Sequence, residues 1–295
     1  MESFDVNRRN WDERAGIHVA SPDYAVEQFR RDPAYLSGVV RFDLPRLGDI
    51  AGLRMVHLQC HIGTDTLSLA RLGAQVTGLD FSPESLKQAR ALAGDAVTFV
   101  EADDYSAPDV LSRERFDVVL WLASRKDMAF QVSSLCWLPD IRRWAQVVRD
   151  LLVPGGRLFI REGHPVLWAL DLDDPRHLRI EYPYFETAEP VVESVEQTYV
   201  ATDRSVQNAT THSWNHGLGE IVSALLDAGF TLTRLEEHRT VPWNALGGQM
   251  IADERGEYAL IERPERLPVT YTLEAVRTVD PGGGREAPGP ASAGS

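Results

Sequence analysis

Leu53–Asp80, LRMVHLQCHIGTDTLSLARLGAQVTGLD, is the stretch on which the fold turns. Met55 to Leu58 is a short apolar run of strand composition, Gly63 opens a tight turn, and a helix starts near Thr64 or Asp65. Gly73 stops that helix, since glycine accepts the left-handed backbone that follows a C-terminus, and Gln75 to Gly78 reads as a second strand closing on Asp80. A carboxylate at a strand end, soon after a glycine turn, is where α/β nucleotide-binding folds hold a ribose diol. The stretch predicts an adenosine-bearing ligand at that edge; the plainer reading is an ordinary βαβ unit with Asp80 on its surface.

Working downstream, Ser82 and Pro83 give an N-cap and a first helical residue, Leu86, Ala89 and Ala93 recur at helical spacing, and Gly94 ends the segment. Val97–Val100 and Phe116–Trp121 read as a third and a fourth strand. Ile141, Trp144, Val148 and Leu151 mark one face of a helix over Asp140–Leu152, stopped by Pro154, Gly155 and Gly156, and Arg157–Arg161 reads as a fifth strand. Strands alternating with helices predict a parallel sheet covered on both faces. Upstream, Asp5 or Asn7 starts a helix through Ala15, and Ser21 with Pro22 starts another through Phe29 or Arg30; residues 1–50 form a helical lid.

The alternation breaks after His164. Residues 179–216 carry three β-rich pieces, RIEYPYF, VEQTYV and TTHSWNH, and read as an insertion capping the substrate. Leu218, Ile221, Val222, Leu225 and Leu226 then form an apolar helical stripe ended by Gly229, followed by strands over Phe230–Glu236 and Val269–Ala275. The fold class is thus α/β: a Rossmann-like, doubly wound, seven-stranded and mostly parallel sheet with an antiparallel last strand, an N-terminal helical lid and a β-rich insertion after the fifth strand. The core spans residues 51–178 and resumes over 217–280, and 281–295, rich in Pro, Gly and Ser, reads as a disordered tail.

The chain has 295 residues, enough for one large α/β domain with an insertion. Its formal charge of -14 disfavours nucleic acid and anionic membranes and leaves a small molecule as the expected partner. Two cysteines, Cys60 and Cys136, make no disulfide framework, and the opening MESFDVNRRN has no apolar signal segment, so a soluble cytoplasmic protein is expected. A homo-oligomer is compatible with these features but not required by them.

The motif order resembles the class I S-adenosylmethionine-dependent methyltransferases over roughly Arg54 to Arg277, in particular bacterial enzymes of small-molecule and natural-product methylation. Where that family's first strand and turn read like VLDLGCGTG, this chain has Val56, His57, Leu58, Gln59, Cys60, His61, Ile62 and Gly63. The resemblance implies S-adenosyl-L-methionine as cofactor, with Gln59, Cys60, His61 and Gly63 around its methionine half. It also implies Asp80 on the ribose hydroxyls, Phe81 against adenine, Asp103 as acceptor for the adenine amino group and Asp104 beside it. Read physically, a dinucleotide site would instead want glycines at the positions of Gln59 and His61, so that a pyrophosphate could approach the backbone. This ranks an NAD-dependent oxidoreductase, or a non-catalytic adenosyl-ligand-binding protein, behind methyl transfer.

Methyl transfer by in-line displacement needs alignment and exclusion of water, with a base optional. His164, after the fifth strand, is the candidate base, and Glu162 shares its strand end; the bland alternative is that GHP is a simple turn. His216, beside Asn215, reads as architecture. His57, Cys60 and His61 lie across a strand end and a turn with no companion ligand pair, so no metal site is expected. Trp11, Tyr24, Trp137, Tyr184 and Trp214 are the expected substrate contacts, which suits an aromatic or terpenoid-like metabolite, with C-methylation coupled to cyclisation as a variant of the same chemistry. The segment LASRKDMAFQVSSLCW between the fourth strand and the helix at Asp140 is longer than the family needs and borders the reaction centre.

Overall fold

The computed structural model describes residues 2–111, 115–122, 134–172, 174, 176–198, 200 and 202–279. In chain order the helices are α1 (Glu2–Ala20), α2 (Val26–Arg31), α3 (Gly38–Leu47), α4 (Thr64–Arg71), α5 (Pro83–Ala93), α6 (Ala107–Val110), α7 (Ile141–Leu151), α8 (Pro165–Trp168) and α9 (Leu218–Asp227). The strands are β1 (Arg54–Leu58), β2 (Gln75–Asp80), β3 (Thr98–Glu101), β4 (Phe116–Leu122), β5 (Leu152–Gly163), β6 (Val191–Ser194), β7 (Thr210–Ser213), β8 (Phe230–His238), β9 (Met250–Ala252), β10 (Tyr258–Leu260) and β11 (Thr270–Arg277).

Seven strands form the central sheet in the order β3-β2-β1-β4-β5-β11-β8. β1 is at its middle, with Met55 beside Val76 of β2 and Val118 of β4. β11, the last strand, runs antiparallel to both β5 and β8, as expected. Alternation along the strands builds the two cores. Met55, Val118 and Phe159 face α3 and α4, whereas Val56, Val119 and Ile160 face α7 and α9. Trp121 and Trp144 meet edge-on in the second core with centroids 5.6 Å apart. Ser82 and Asp140 cap α5 and α7 through Ser85 N–H and Arg143 N–H, as their residue types predict.

Four expectations change. α1 continues to Ala20 instead of ending at Ala15, because its buried face is largely polar and carries no apolar period to read: Asn7, Asn10, Arg14 and His18 are buried on it. β5 starts at Leu152, directly after α7, with Pro154, Gly155 and Gly156 inside a bulged stretch of strand instead of a turn. Among the described residues of the insertion β6 pairs with β7, Ile180 makes a single bridge to Leu170, and no strand includes Val195–Thr198 of VEQTYV, whose Tyr199 lies outside the described residues. The β9–β10 hairpin has no counterpart in the sequence reading. Residues 123–133 of the long segment after β4 and the tail 281–295 lie outside the described residues.

Candidate active site

The site is built on the turn from β1 to α4. Gln59, His61 and Gly63 have φ of 53°, 49° and 78°, so the backbone takes left-handed conformation at all three positions where the resembled motif has glycine. Substituting two of those glycines has kept the turn. Gly63 is required there: a Cβ would lie 2.9 Å from the Ala89 Cβ. Tertiary hydrogen bonds hold the two exceptions. Gln59 Nε2 donates to Asp104 Oδ2 at 2.6 Å, and the His61 ring lies 2.8 Å from His18 Nδ1 and 3.0 Å from Ser85 Oγ.

Asp80 is buried at the end of β2 and accepts from His61 N–H at 2.8 Å and Ser82 N–H at 2.9 Å. Burial pushes its carboxyl up to about 6 against those two bonds. Asp104 is buried as well, pushed up to about 7 chiefly by burial, and its Oδ1 has no hydrogen-bond partner. Among the described residues no lysine or arginine pairs with either carboxylate. Two buried acceptors without a cation call for neutral donors, which the hydroxyls of a ribose and the amino group of an adenine supply. Asp103, expected to take the adenine amino group, instead caps the following turn through Ser106 N–H and Oγ, which leaves Asp104 as the open acceptor. Cys60 turns inward onto Gly78, where a Cβ would come within 2.9 Å of its sulfur, so its thiol takes no part in the mouth. Phe81 is half-buried just past β2.

α1 closes over this turn. Asp12 accepts from Ser82 Oγ at 2.6 Å, and the Trp11 ring meets those of His61 and Trp137 edge-on at 5.2 and 5.6 Å. Tyr24 stacks on His18 at 5.2 Å. His18 Nε2 lies 2.8 Å from Thr198 Oγ1, so one buried row, Thr198–His18–His61–Ser85, ties insertion, lid, turn and α5 together. Burial holds both imidazoles below their ordinary range, His61 at about 3. His18 lies beyond the end at Ala15 that the sequence predicts for this helix; its place one heptad after Trp11, on the same face, is the signal that finds it.

The candidate bases are engaged elsewhere. His164 Nδ1 accepts from Val166 N–H at 3.1 Å, capping α8, and Nε2 lies 2.9 Å from Glu237 Oε1, so neither ring nitrogen is left for a substrate proton. Glu162 accepts from Ser134 N–H and Leu135 N–H on one oxygen and from Gly163 N–H on the other, fastening the segment that enters α7. His57 bonds Thr66 Oγ1 at 2.9 Å inside the core, neutral through burial. Of the substrate candidates, Trp11, Tyr24 and Trp137 gather at the turn and Trp214 lines a separate chamber. Tyr184 instead packs on Gly217, and its hydroxyl accepts from Leu218 N–H, serving the start of α9.

A family described as "Methyltransferase domain" matches residues 56–158, which run from β1 into β5 and contain the whole turn and both carboxylates. Over this stretch the chain is similar to a methyltransferase domain. The methyltransferase phqN of Penicillium fellutanum is 31% identical over 136 residues, 44% of this chain and 38% of that protein. A ubiquinone biosynthesis O-methyltransferase of Xanthomonas oryzae pv. oryzae is 32% identical over 114 residues, 38% of this chain and 44% of that protein. The chain therefore spans less than half the length of the curated relatives it matches. The fold of the methyltransferase domain recurs in an S-adenosylmethionine-dependent methyltransferase from Mesorhizobium loti, with TM-score 0.51 and 21% identity over 82% of this chain and 98% of that one. It recurs also in the DhpI complex with SAH, with TM-score 0.52 and 16% identity over 94% and 97%. S-adenosylmethionine is the methyl donor of this family, and the open Asp104 oxygen and cation-free Asp80 fit its adenosine half.

Proposed function

We propose that the protein transfers a methyl group from S-adenosylmethionine to a small molecule by in-line displacement, without a protein base. The observation that carries this is the pair of buried carboxylates, Asp80 and Asp104, beside a turn that keeps its left-handed geometry at Gln59, His61 and Gly63. When bound, the cofactor supplies an electrophilic methyl on a sulfonium. The chain's own residues hold the adenosine half through Asp80 and Asp104, exclude water through Trp11 and Trp137 on the lid side, and orient the acceptor. The engagement of His164 and Glu162 in structural bonds supports displacement by an acceptor that is already nucleophilic or that loses its proton to solvent.

The acceptor we favour is an oxygen on an aromatic or terpenoid-like metabolite. The O-methyltransferase among the relatives supports oxygen, and the aromatic lining of the chamber supports a flat or apolar body. Aromatic walls also suit the cation of a C-methylation coupled to cyclisation. Calorimetric titration with S-adenosylhomocysteine, with NADH as control, tests the reading. Micromolar binding that Asp80→Ala weakens at least tenfold is the expected result, and NADH binding in preference to S-adenosylhomocysteine overturns it. Incubation with a labelled methyl donor and a metabolite extract, read by mass spectrometry, then identifies the acceptor; a complete absence of labelled product counts against catalysis.

A further inference from the structure

Beside the lid, at the end of β5, are two clefts, continuous with solvent, that share Cys136, Trp168, Trp214 and Asn215 as walls and so adjoin as one chamber. Trp168 lies across Gly163, where a Cβ would stand 2.3 Å from Cζ2, and this contact fixes the chamber at the strand end. Cys136 lines it while the ring of the next residue, Trp137, touches Trp11 at 5.6 Å, and Trp11 in turn touches His61. The chamber is therefore next to the cofactor turn.

Three polar groups in its walls are buried without a partner: Trp168 Nε1, Trp214 Nε1 and Tyr271 Oη, on residues 8%, 5% and 0% exposed. Two of them can only donate, and the third can donate. Folded chains rarely leave such groups unpaired, so they are placed to receive an acceptor. The character of that acceptor follows from the rest of the wall. Among the described residues the lining contains no lysine or arginine, and it includes Glu162 and Glu193. His216, the one imidazole there, has Nε2 against the Leu138 carbonyl at 2.8 Å and Nδ1 2.9 Å from Glu186. An anionic ligand would give up its hydration there without meeting a counter-charge, whereas a neutral oxygen would gain donors.

Resting on the methyltransferase reading, we infer that this chamber selects a neutral aromatic or polycyclic substrate by a phenol or carbonyl oxygen held by the Trp168 and Trp214 indoles, and excludes its carboxylate counterpart. The test is a ligand-observed NMR titration of the full chain at pH 8 with methyl 6-hydroxy-2-naphthoate and with 6-hydroxy-2-naphthoic acid, repeated on Trp168→Phe and Trp214→Phe. The ester is expected to bind at least about tenfold tighter than the acid, and each phenylalanine, which keeps the ring and removes the N–H, to weaken it about three- to tenfold. S-adenosylhomocysteine affinity, measured on the same samples, should stay within about twofold of wild type, which shows that the variants are folded. Acid binding as tight as ester, no ester binding, or both variants holding the ester like wild type overturns the inference. Loss of S-adenosylhomocysteine binding in the wild type overturns the methyltransferase reading instead, so the two failures are told apart.

Discussion

Replacing His61 with glutamine should flatten the dependence of stability on pH. The imidazole is buried and held neutral, with a folded-state value of about 3 against 6.5 for the free side chain. Its folded value is depressed, so the stability it confers is present above 6.5 and is lost as pH falls from there towards about 3. Between pH 7 and pH 5 the unfolded imidazole takes up its proton while the folded one does not, which costs the native state about 2 kcal/mol. His57 and His18 act in the same direction, and Asp80 and Asp104, whose folded values are raised, act in the opposite one. Because the variant retains all four groups, the difference between the two proteins isolates His61. Gln59 shows that this side chain is accepted at positive φ in the same turn, and an amide can still reach His18. Urea unfolding at the two pH values measures the effect. The wild type should lose about 2 kcal/mol more than His61→Gln on acidification. An equal loss in both, within about 0.5 kcal/mol, would show that His61 is not the neutral, dry group described here.

S-adenosylhomocysteine should bind at least about tenfold more weakly at pH 5 than at pH 8, because Asp80 protonates near 6 in the free protein and a protonated carboxyl is a poorer acceptor for ribose hydroxyls; calorimetry on wild type and on Asp80→Asn, which should be weak at both values, checks it. Arg161→Met should destabilise by roughly 3–5 kcal/mol in urea, since the buried guanidinium bonds Glu257 at 2.9 Å and lies 3.8 Å from Asp43, and its loss strands two buried acids. Gly163→Ala should cost about 1–3 kcal/mol by driving Trp168 off the strand, read as a lowered melting temperature with reduced binding in the chamber.

The sheet was legible because its strands are short apolar runs separated by capped helices, and each cap residue, Ser82 and Asp140 among them, bonds the amide its type implies. The glycine turn was harder. Its sequence looks degraded, yet its backbone is intact, because Gln59 and His61 are secured by Asp104, His18 and Ser85, partners that no local window displays. The same blindness hides what the candidate bases are bonded to. That His164 and Glu162 stand at a strand end is plain from the order of motifs, but what occupies their polar atoms comes from Glu237 and from residues 134–135, far away in the chain. RIEYPYF has a strand's alternation but, among the described residues, makes only the one bridge from Ile180, and the three-residue strands of the β9–β10 hairpin are too short to show a period at all.

The polar row on α1 has a thermodynamic consequence for how the helix is held. Asn7 and Asn10 bond the backbone of His212 and Asn208, and Arg14 and His18 bond Thr198, so much of what holds the helix to the insertion is hydrogen bonding instead of buried hydrocarbon. When such a seam parts, water replaces each partner almost one for one. The hold of α1 on the insertion is thus set by the fit of these particular groups more than by area, while Phe4, Trp11, Ile17 and Val19 pack the same helix on the hydrophobic clusters beneath it.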